Sequence, residues 1–522
     1  MREFNVTGLC VPGKHYMADT GDKIDAIMAL VEKSRYFCIN RARQYGKTTT
    51  LALLRRRLPE EYTAIRTSFE VTSDAMFGNE AGFCQGLLDK CANELERRGA
   101  REYEDWKDDS ITNFNLLDNF LTKICRDKKY VLMIDEADKA SNNLIFLKFL
   151  GMLRDKYLRR DDGEDDTFHS VILAGVYDIK NLKIKMIQAG THQLQDGEQR
   201  INSPWNIAVN FDVDMSLSVK EIASMLIEYE KDHNTGMDIE TVSKEIRAYT
   251  NGYPYLVSWI CQKIENKLDK NWTANGVHQA IKLMLRDDDS ILIDDIAKNL
   301  DSNKELRNLM YNIIALGEQY AYNKLNIAMG LGLTFGFLIK HEDDVVIGNK
   351  FFEILLYDHF TTEMKIARKL PRQDLPSEVV FDNKFNMQLT IEKFAAHYYE
   401  MYRESKRKFI ENECRMLFLT YLQPLINGAG FYHVESETRD AKRMDVIVDY
   451  NADQFIVELK LWYGESKHED ALDQLVGYLN RKNRDTGYLL TFDFRKRYNT
   501  GEPKAVWIEH NGKRIFDMMV GV

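Results

Sequence analysis

Residues 40–51, NRARQYGKTTTL, place a lysine after a glycine and before three threonines, between the apolar run RYFCI and the helix-like TTTLALLRRRL. Strand, loop and helix in that order gather backbone N–H groups and the positive end of a helix around an anion. Lys47 would supply a point charge, Thr48 a hydroxyl ligand for Mg2+, and Gly46 a tight approach, with Arg43 and Thr49 completing the candidate nucleotide-binding set. Arg41 stands where the G-x-x-x-x-G-K-[ST] spacing asks for its first glycine. A side chain with a Cβ does not readily enter the φ > 0 conformations open to glycine, so the loop entrance must differ, and Arg41 or Arg43 could add charge near phosphates. The competing reading is a strand-to-helix turn that happens to contain G-K-T.

The stretch KKYVLMIDEADKA reads as a buried strand ending in two carboxylates. Asp135 is the expected Mg2+ holder, usually through water, and Glu136 the group that polarises an attacking water. YTAIRTSFEV and SVILAGV read as further strands of the same sheet. Standing alone, DEAD with Asp138 would be a solvated helix start.

Near the C-terminus, RMDVIVDYNADQFIVELKLWYG reads as a hairpin. In its second strand Phe455, Val457, Leu459 and Leu461 share one face, and Glu458 and Lys460 the other. Charges on a buried strand are costly unless they pair or bind a metal. Asp445 and Glu458 are therefore candidate ligands for Mg2+ beside a phosphodiester, and Lys460 a candidate to orient water or stabilise developing charge. The competing reading is an edge strand with a solvated salt bridge. Upstream, FIENECRMLFLTYLQPLINGAG forms an amphipathic pattern through Ile410, Cys414, Leu417, Phe418, Tyr421 and Leu425, with Glu411 at the border of the apolar face. Downstream, Gln474 and Tyr478 are four apart on one side of the helix EDALDQLVGYLNRK.

These groups need scaffolds, and 522 residues suffice for about three domains. A hydrophobic content of 44% with only 8 prolines describes compact domains. The formal charge of −10 excludes a uniformly basic nucleic-acid coat, so any nucleic-acid surface must be local. No apolar run reaches the length of a membrane span, and MREFNVTGLC lacks the pattern of a signal peptide. The seven cysteines have no C-x-x-C spacing, which points to neither a disulfide framework nor a zinc cluster, and a cytoplasmic setting is expected.

Strands alternate with helices to about Asp214, predicting an α/β parallel sheet with WNIAVNFDV as its last strand. Ser218 and Glu221 predict a capping box. NGYPYLVS marks a turn into an apolar helix, and FGFLIKHEDDVVIGN predicts a winged helix. Its turn carries Glu342, Asp343 and Asp344, which favours a structural or regulatory role over phosphate contact. KLPRQDLPSEVVFDNKFN is the expected linker. The boundaries are then 1–215 for the P-loop domain, 216–365 for a helical and winged-helix-like extension, 366–404 for the linker and 405–522 for the C-terminal domain.

GLCVPGKHYM, INRARQYGKTTTL, VLMIDEAD, SPWNIA, NGYPYLVS, LINGAGFYHVESETR and RMDVIVDY…FIVELKLWYG together resemble bacterial proteins that fuse an AAA-ATPase-like domain to a PD-(D/E)XK nuclease-superfamily domain. The resemblance covers nearly the whole chain and makes the arginine-containing loop a family trait. It implies a restriction-endonuclease-like α-β-β-β-α-β core in which Asp445, Glu458 and Lys460 are catalytic, Glu411 is the helix acid, and Gln474 and Tyr478 form a Q-x-x-x-Y signature. After SVILAGVYD the sequence departs from the pattern: no clear sensor asparagine or arginine finger follows, Arg200 being the candidate. The expectation is an ATP- and Mg2+-binding protein whose C-terminal domain hydrolyses phosphodiester bonds, DNA being favoured over RNA and oligomerisation open. The alternatives are a nucleotide-switched regulator whose nuclease fold only grips nucleic acid, and a structural ATPase whose winged helix docks a partner.

Overall fold

A computed structural model describes residues 2–70, 74–140, 143–176, 205–287, 290–315, 318–368, 379–381, 384–402, 411–426, 430–436, 444–451, 453–494 and 503–521. Arg200 lies outside them. The chain forms two units.

The first unit comprises Met1–Asn234, Gly252–Trp259 and Thr334–Gly336. Its sheet is parallel, with the order β1-β4-β3-β2, from β1 (Phe37–Asn40), β2 (Tyr62–Ser68), β3 (Lys129–Asp135) and β4 (Ser170–Gly175). Helices α1 (Gly21–Glu32) and α2 (Lys47–Arg57) bury Ile24, Ile27, Leu51 and Leu54 against Val131, Met133 and Ile172 on one face. On the other face Leu132, Ile134 and Leu173 meet α3 (Glu80–Arg97), α4 (Phe114–Cys125) and α5 (Leu144–Asp161). Alternate residues of one strand thus enter two different cores, which is why these strands read as unbroken apolar runs.

The expected last strand does not form. Val209 makes a single parallel bridge to Phe37, its N–H donating to the Tyr36 carbonyl at 2.9 Å. A turn from Trp205 to Ala208 precedes the bridge. After it, Phe211 stacks on Phe37 at 5.9 Å, so side-chain packing replaces the ladder. Helix α6 (Val219–His233) begins with the predicted capping box, both reciprocal bonds between Ser218 and Glu221 being present.

The extension continues through α7 (Ile239–Thr250), α8 (Pro254–Lys267), α9 (Ala274–Leu285), α10 (Ile291–Ser302) and α11 (Lys304–Ile314). It then forms a small sheet of order β5-β7-β6, from β5 (Tyr320–Ala321), β6 (Leu338–His341) and β7 (Asp344–Ile347), with α12 (Ile327–Thr334) between β5 and β6. A short helix and a β-hairpin thus occupy the segment in which a winged helix is expected. Helix α12 carries no basic residue, and the wing turn exposes Glu342 and Asp343.

Beyond α13 (Lys350–Arg368) and the short pair β8 (Val380–Phe381) and β9 (Lys384–Phe385), the segment expected as linker contains helix α14 (Met387–Tyr402). The prolines of that segment end at Pro376, and the apolar residues after them pack: Phe394 meets Phe418, Tyr421 and Phe492 at centroid distances of 5.1 to 6.2 Å. Helix α15 (Glu411–Ile426) is buried from Cys414 through Leu422 on all sides, not along one stripe, because α13, α14 and the sheet all contact it.

The C-terminal sheet is mixed and has the order β10-β11-β12-β13-β15-β14. Its strands are β10 (Gly430–Ser436), β11 (Met444–Tyr450), β12 (Asp453–Leu461), β13 (Thr486–Asp493), β14 (Lys504–His510) and β15 (Lys513–Gly521), with α16 (Glu465–Arg481) between β12 and β13. From α15 to β13 the element order is α-β-β-β-α-β. The final hairpin adds β15 in parallel beside β13. Among the described residues no helix is long and apolar enough to cross a membrane.

Candidate nucleotide-binding and phosphodiester sites

The loop after β1 turns into α2 at Gly46, whose φ of 78° is left-handed while a Cβ there would meet nothing within 4 Å. Conformation, not space, requires the glycine. Lys47 is buried, and its Nζ donates to the carbonyls of Arg41 at 2.9 Å and Ala42 at 2.8 Å. Burial lowers its pKa, while Glu136, Asp138 and Asp135 oppose that shift. Thr48 is half-buried, and the Thr49 hydroxyl accepts the Cys10 N–H at 3.2 Å.

Arg41 is spent on the scaffold. Its guanidinium donates to the carbonyls of Asn40 and Val213, each at 2.9 Å, and lies 5.4 Å over the Phe211 ring. The residue in the first-glycine position thereby ties the loop to the segment after the Val209 bridge. Arg43 is exposed, and its carbonyl accepts the hydroxyl of Tyr253. The Tyr253 ring meets Tyr45 edge-on at 4.7 Å. Gly252 makes that approach possible: its φ is 71°, and a Cβ would lie 2.1 Å from the Leu217 carbonyl. At Gly336 a Cβ would stand 3.1 Å from Ala42.

Asp135 ends β3 at 3% exposure, accepting the Glu136 N–H at 3.1 Å and facing Arg66 Nη2 at 3.4 Å. Glu136 follows at φ 53°, and burial followed by repulsion from Asp138 raises its pKa. Asp138 is half-buried in the turn Ala137–Ala140, not a solvated helix start. Its Oδ1 is buried without a hydrogen-bond partner among the described residues, and a Cβ on Gly175 would come within 2.6 Å of it. A buried lysine at a helix N-terminus, with Asp135 and Glu136 near enough to act on its charge, fits a phosphate chain with Mg2+.

Beside the loop lies a cavity of about 110 Å³ that also borders Gly46 and Thr49, with Tyr16, Met17, Ile24, Leu53, Met215 and Pro254 among its apolar walls. Its lining comes from stretches far apart in sequence. GLCVPGKHYM and NGYPYLVS are the signal in the sequence, and neither spacing assigns the cavity a role.

In the C-terminal sheet, Lys460 Nζ lies 2.7 Å from Glu458 Oε1 and 3.7 Å from Glu411 Oε1. Glu458 is 1% exposed. The sequence singles out all three, and they converge from β12 and from the first turn of α15. β11 pairs with β12 as far as Val446 opposite Val457, and Asp445 and Glu458 are the next residues of their strands beyond that pair. The position of the Asp445 side chain lies outside what is described. Tyr478 is buried in the cluster of α16 with Ile447, Ile456 and Leu489, and Arg481 lies 5.4 Å over its ring. Gln474 is half-buried one turn earlier. Among the described residues no group of three His, Cys, Asp or Glu side chains is poised to hold a metal.

No protein-family profile and no curated protein matches the chain. Solved structures with distant similarity include the Walker-type ATPase PABY2304 of Pyrococcus abyssi, at 10% identity and a TM-score of 0.45 over 68% of this chain and 99% of that one. The RuvB Holliday junction branch migration motor of Thermotoga maritima gives 12% identity and 0.33 over 66% and 95%. The ORC2 protein of Aeropyrum pernix gives 10% identity and 0.39 over 69% and 98%.

Proposed function

We propose that this protein binds ATP with Mg2+ at the loop of residues 40–49 and hydrolyses phosphodiester bonds, in DNA, at the Glu458–Lys460–Glu411 cluster, the first site controlling the second. The nucleotide half is supported by the buried Lys47 at the start of α2, whose charge Glu136, Asp138 and Asp135 favour, and by the largely apolar cavity of about 110 Å³ beside the loop. Thr48 and Asp135 are the residues to hold Mg2+, which when bound neutralises phosphate charge. Glu136, next to Asp135 and with its pKa raised by burial and by Asp138, would orient water.

One observation carries the hydrolytic half: two carboxylates, Glu458 from β12 and Glu411 from α15, converge on Lys460, at 2.7 and 3.7 Å. Two acids and one ammonium leave a net negative charge, which a divalent cation would have to offset before a phosphate could approach. Asp445 and Glu458 would hold the metal, and Gln474 and Tyr478 would support the helix beside it. Control by nucleotide is supported by Tyr253, whose hydroxyl donates to the Arg43 carbonyl, and by Gly336, which packs closely against Ala42, from segments that continue into α8 and β6.

The experiment is cleavage of DNA and of RNA by the full-length protein without nucleotide and with ADP, ATP or a non-hydrolysable analogue, with Mg2+ or with EDTA. Rates should differ about 5- to 150-fold between nucleotide states. Equal rates in all four states sink the control, and equal cleavage in EDTA sinks the metal chemistry. A second reading, a nucleotide-switched protein that grips nucleic acid without cutting, is favoured by the closed Glu458–Lys460 pair. It predicts binding and no cleavage in any state.

A further inference from the structure

Arg66 is a guanidinium in the middle of β2, next to the fully buried Ile65. Charge inside a strand persists where it has a partner, and here the partner is the metal-ligand candidate Asp135, 3.4 Å from Arg66 Nη2. The pairing runs diagonally across the ladder, in which Arg66 lies opposite Met133. Ser68 lies opposite Asp135, and the Phe69 N–H donates to the Asp135 carbonyl at 3.1 Å. The second carboxylate oxygen accepts the Glu136 N–H, so both oxygens are engaged by groups of the chain. Arg66 also lines a polar cleft of about 470 Å³ with Ser68, Glu70, Lys90 and Glu94, open space into which a displaced guanidinium can turn.

We propose that Arg66 is a positioning residue that holds Asp135 and opposes Mg2+ there, so that the ion is admitted only when phosphates bring it. This rests on the nucleotide-binding reading above. A guanidinium and a divalent cation on one carboxylate repel each other, and the chain thereby sets an order of arrival: nucleotide and metal together, not metal first. The same pairing makes a direct contribution of Arg66 to the phosphates secondary to its hold on Asp135.

The test is calorimetric titration of the full-length protein with ADP over a series of Mg2+ concentrations beginning in EDTA. Arg66→Gln and Arg66→Met should lower the Mg2+ concentration for half-maximal tightening roughly three- to tenfold, and Arg66→Lys should stay near wild type, because the effect is one charge at short range. A midpoint that is unchanged or raised in the neutral variants overturns the proposal. A wild-type protein that binds no ADP at any Mg2+ concentration overturns the nucleotide reading instead, with Lys47→Ala as the reference for lost binding. If the neutral variants do not fold, paramagnetic titration with Mn2+ alone of the full-length Glu458→Gln protein, which removes the metal ligand proposed in the C-terminal sheet, decides the matter. Weak binding until ADP is added is the expected result, and tight binding without ADP overturns the proposal.

Discussion

The loop around Lys47 and the strand cluster around Lys460 both keep an ammonium largely out of water, by opposite means. Lys47 is held by two backbone carbonyls five and six residues away, inside one short loop. Lys460 is held by side chains, one from its own strand and one from a helix that begins nearly fifty residues earlier. Backbone acceptors keep no charge when the lysine is removed. Carboxylates do, and a buried one stripped of its cation is left at a high cost. The two lysines should therefore fail differently when mutated.

The largest effect is expected at Lys460. Lys460→Ala should destabilise the fold by about 3 kcal/mol, since it withdraws the ammonium from a carboxylate that is 1% exposed. The double variant Glu458→Gln with Lys460→Ala should recover most of that loss in urea unfolding. If the double variant is as unstable as the single one, the pair is not what the lysine serves. Lys47→Ala should instead leave unfolding without nucleotide nearly unchanged and weaken ADP binding at least tenfold, about 1.4 kcal/mol. Undiminished affinity in a folded Lys47→Ala protein would remove the contrast and the nucleotide site together.

Arg41→Gly restores the usual glycine spacing and tests what the arginine is for. Loss of its bonds to Asn40 and Val213 should cost about 1 kcal/mol of stability, with ADP affinity changed less than about twofold. A clear gain in affinity would show that Arg41 obstructs the loop. The smallest effect concerns pH. His468 Nε2 bonds Asp517 at 2.8 Å, and that bond raises the His468 pKa against an opposing burial effect, with Glu465 adding attraction. The stabilisation is complete below the unfolded value of about 6.5 and fades as pH rises through the raised folded value. In His468→Gln, melting temperature measured across that window should lose this component of its pH dependence. An identical profile in the variant would show that His468 does not titrate with folding.

How much of the molecule is legible in its sequence depends on how local each signal is. The P-loop, Asp135 with Glu136, and the Glu458–Lys460 pair are runs of neighbouring residues whose spacing is itself the geometry, and β2, β3 and β4 announce themselves by apolar runs. WNIAVNFDV has the same composition, but Phe211 stacks where a ladder would continue. The segment of residues 366–404 misleads because its prolines are conspicuous, while the packing of Phe394 depends on Phe492 almost a hundred residues later. The role of Arg41 is illegible for the same reason: Val213 and Phe211 lie some 170 residues away. Tyr253 on Arg43, and Arg66 beside Asp135, are likewise pairings that only folding creates.

Tyr253 and Gly336 belong to the first unit, although the residues on both sides of each short segment belong to the second. The sequence thus returns twice to the first unit after leaving it. A gene cut after codon 215 would encode the loop, its lysine and both acids, yet would omit the tyrosine that braces the loop and the proline that walls its cavity. A fragment that keeps the whole first unit must therefore run to Gly336 and carry the helices between Thr235 and Leu333 with it.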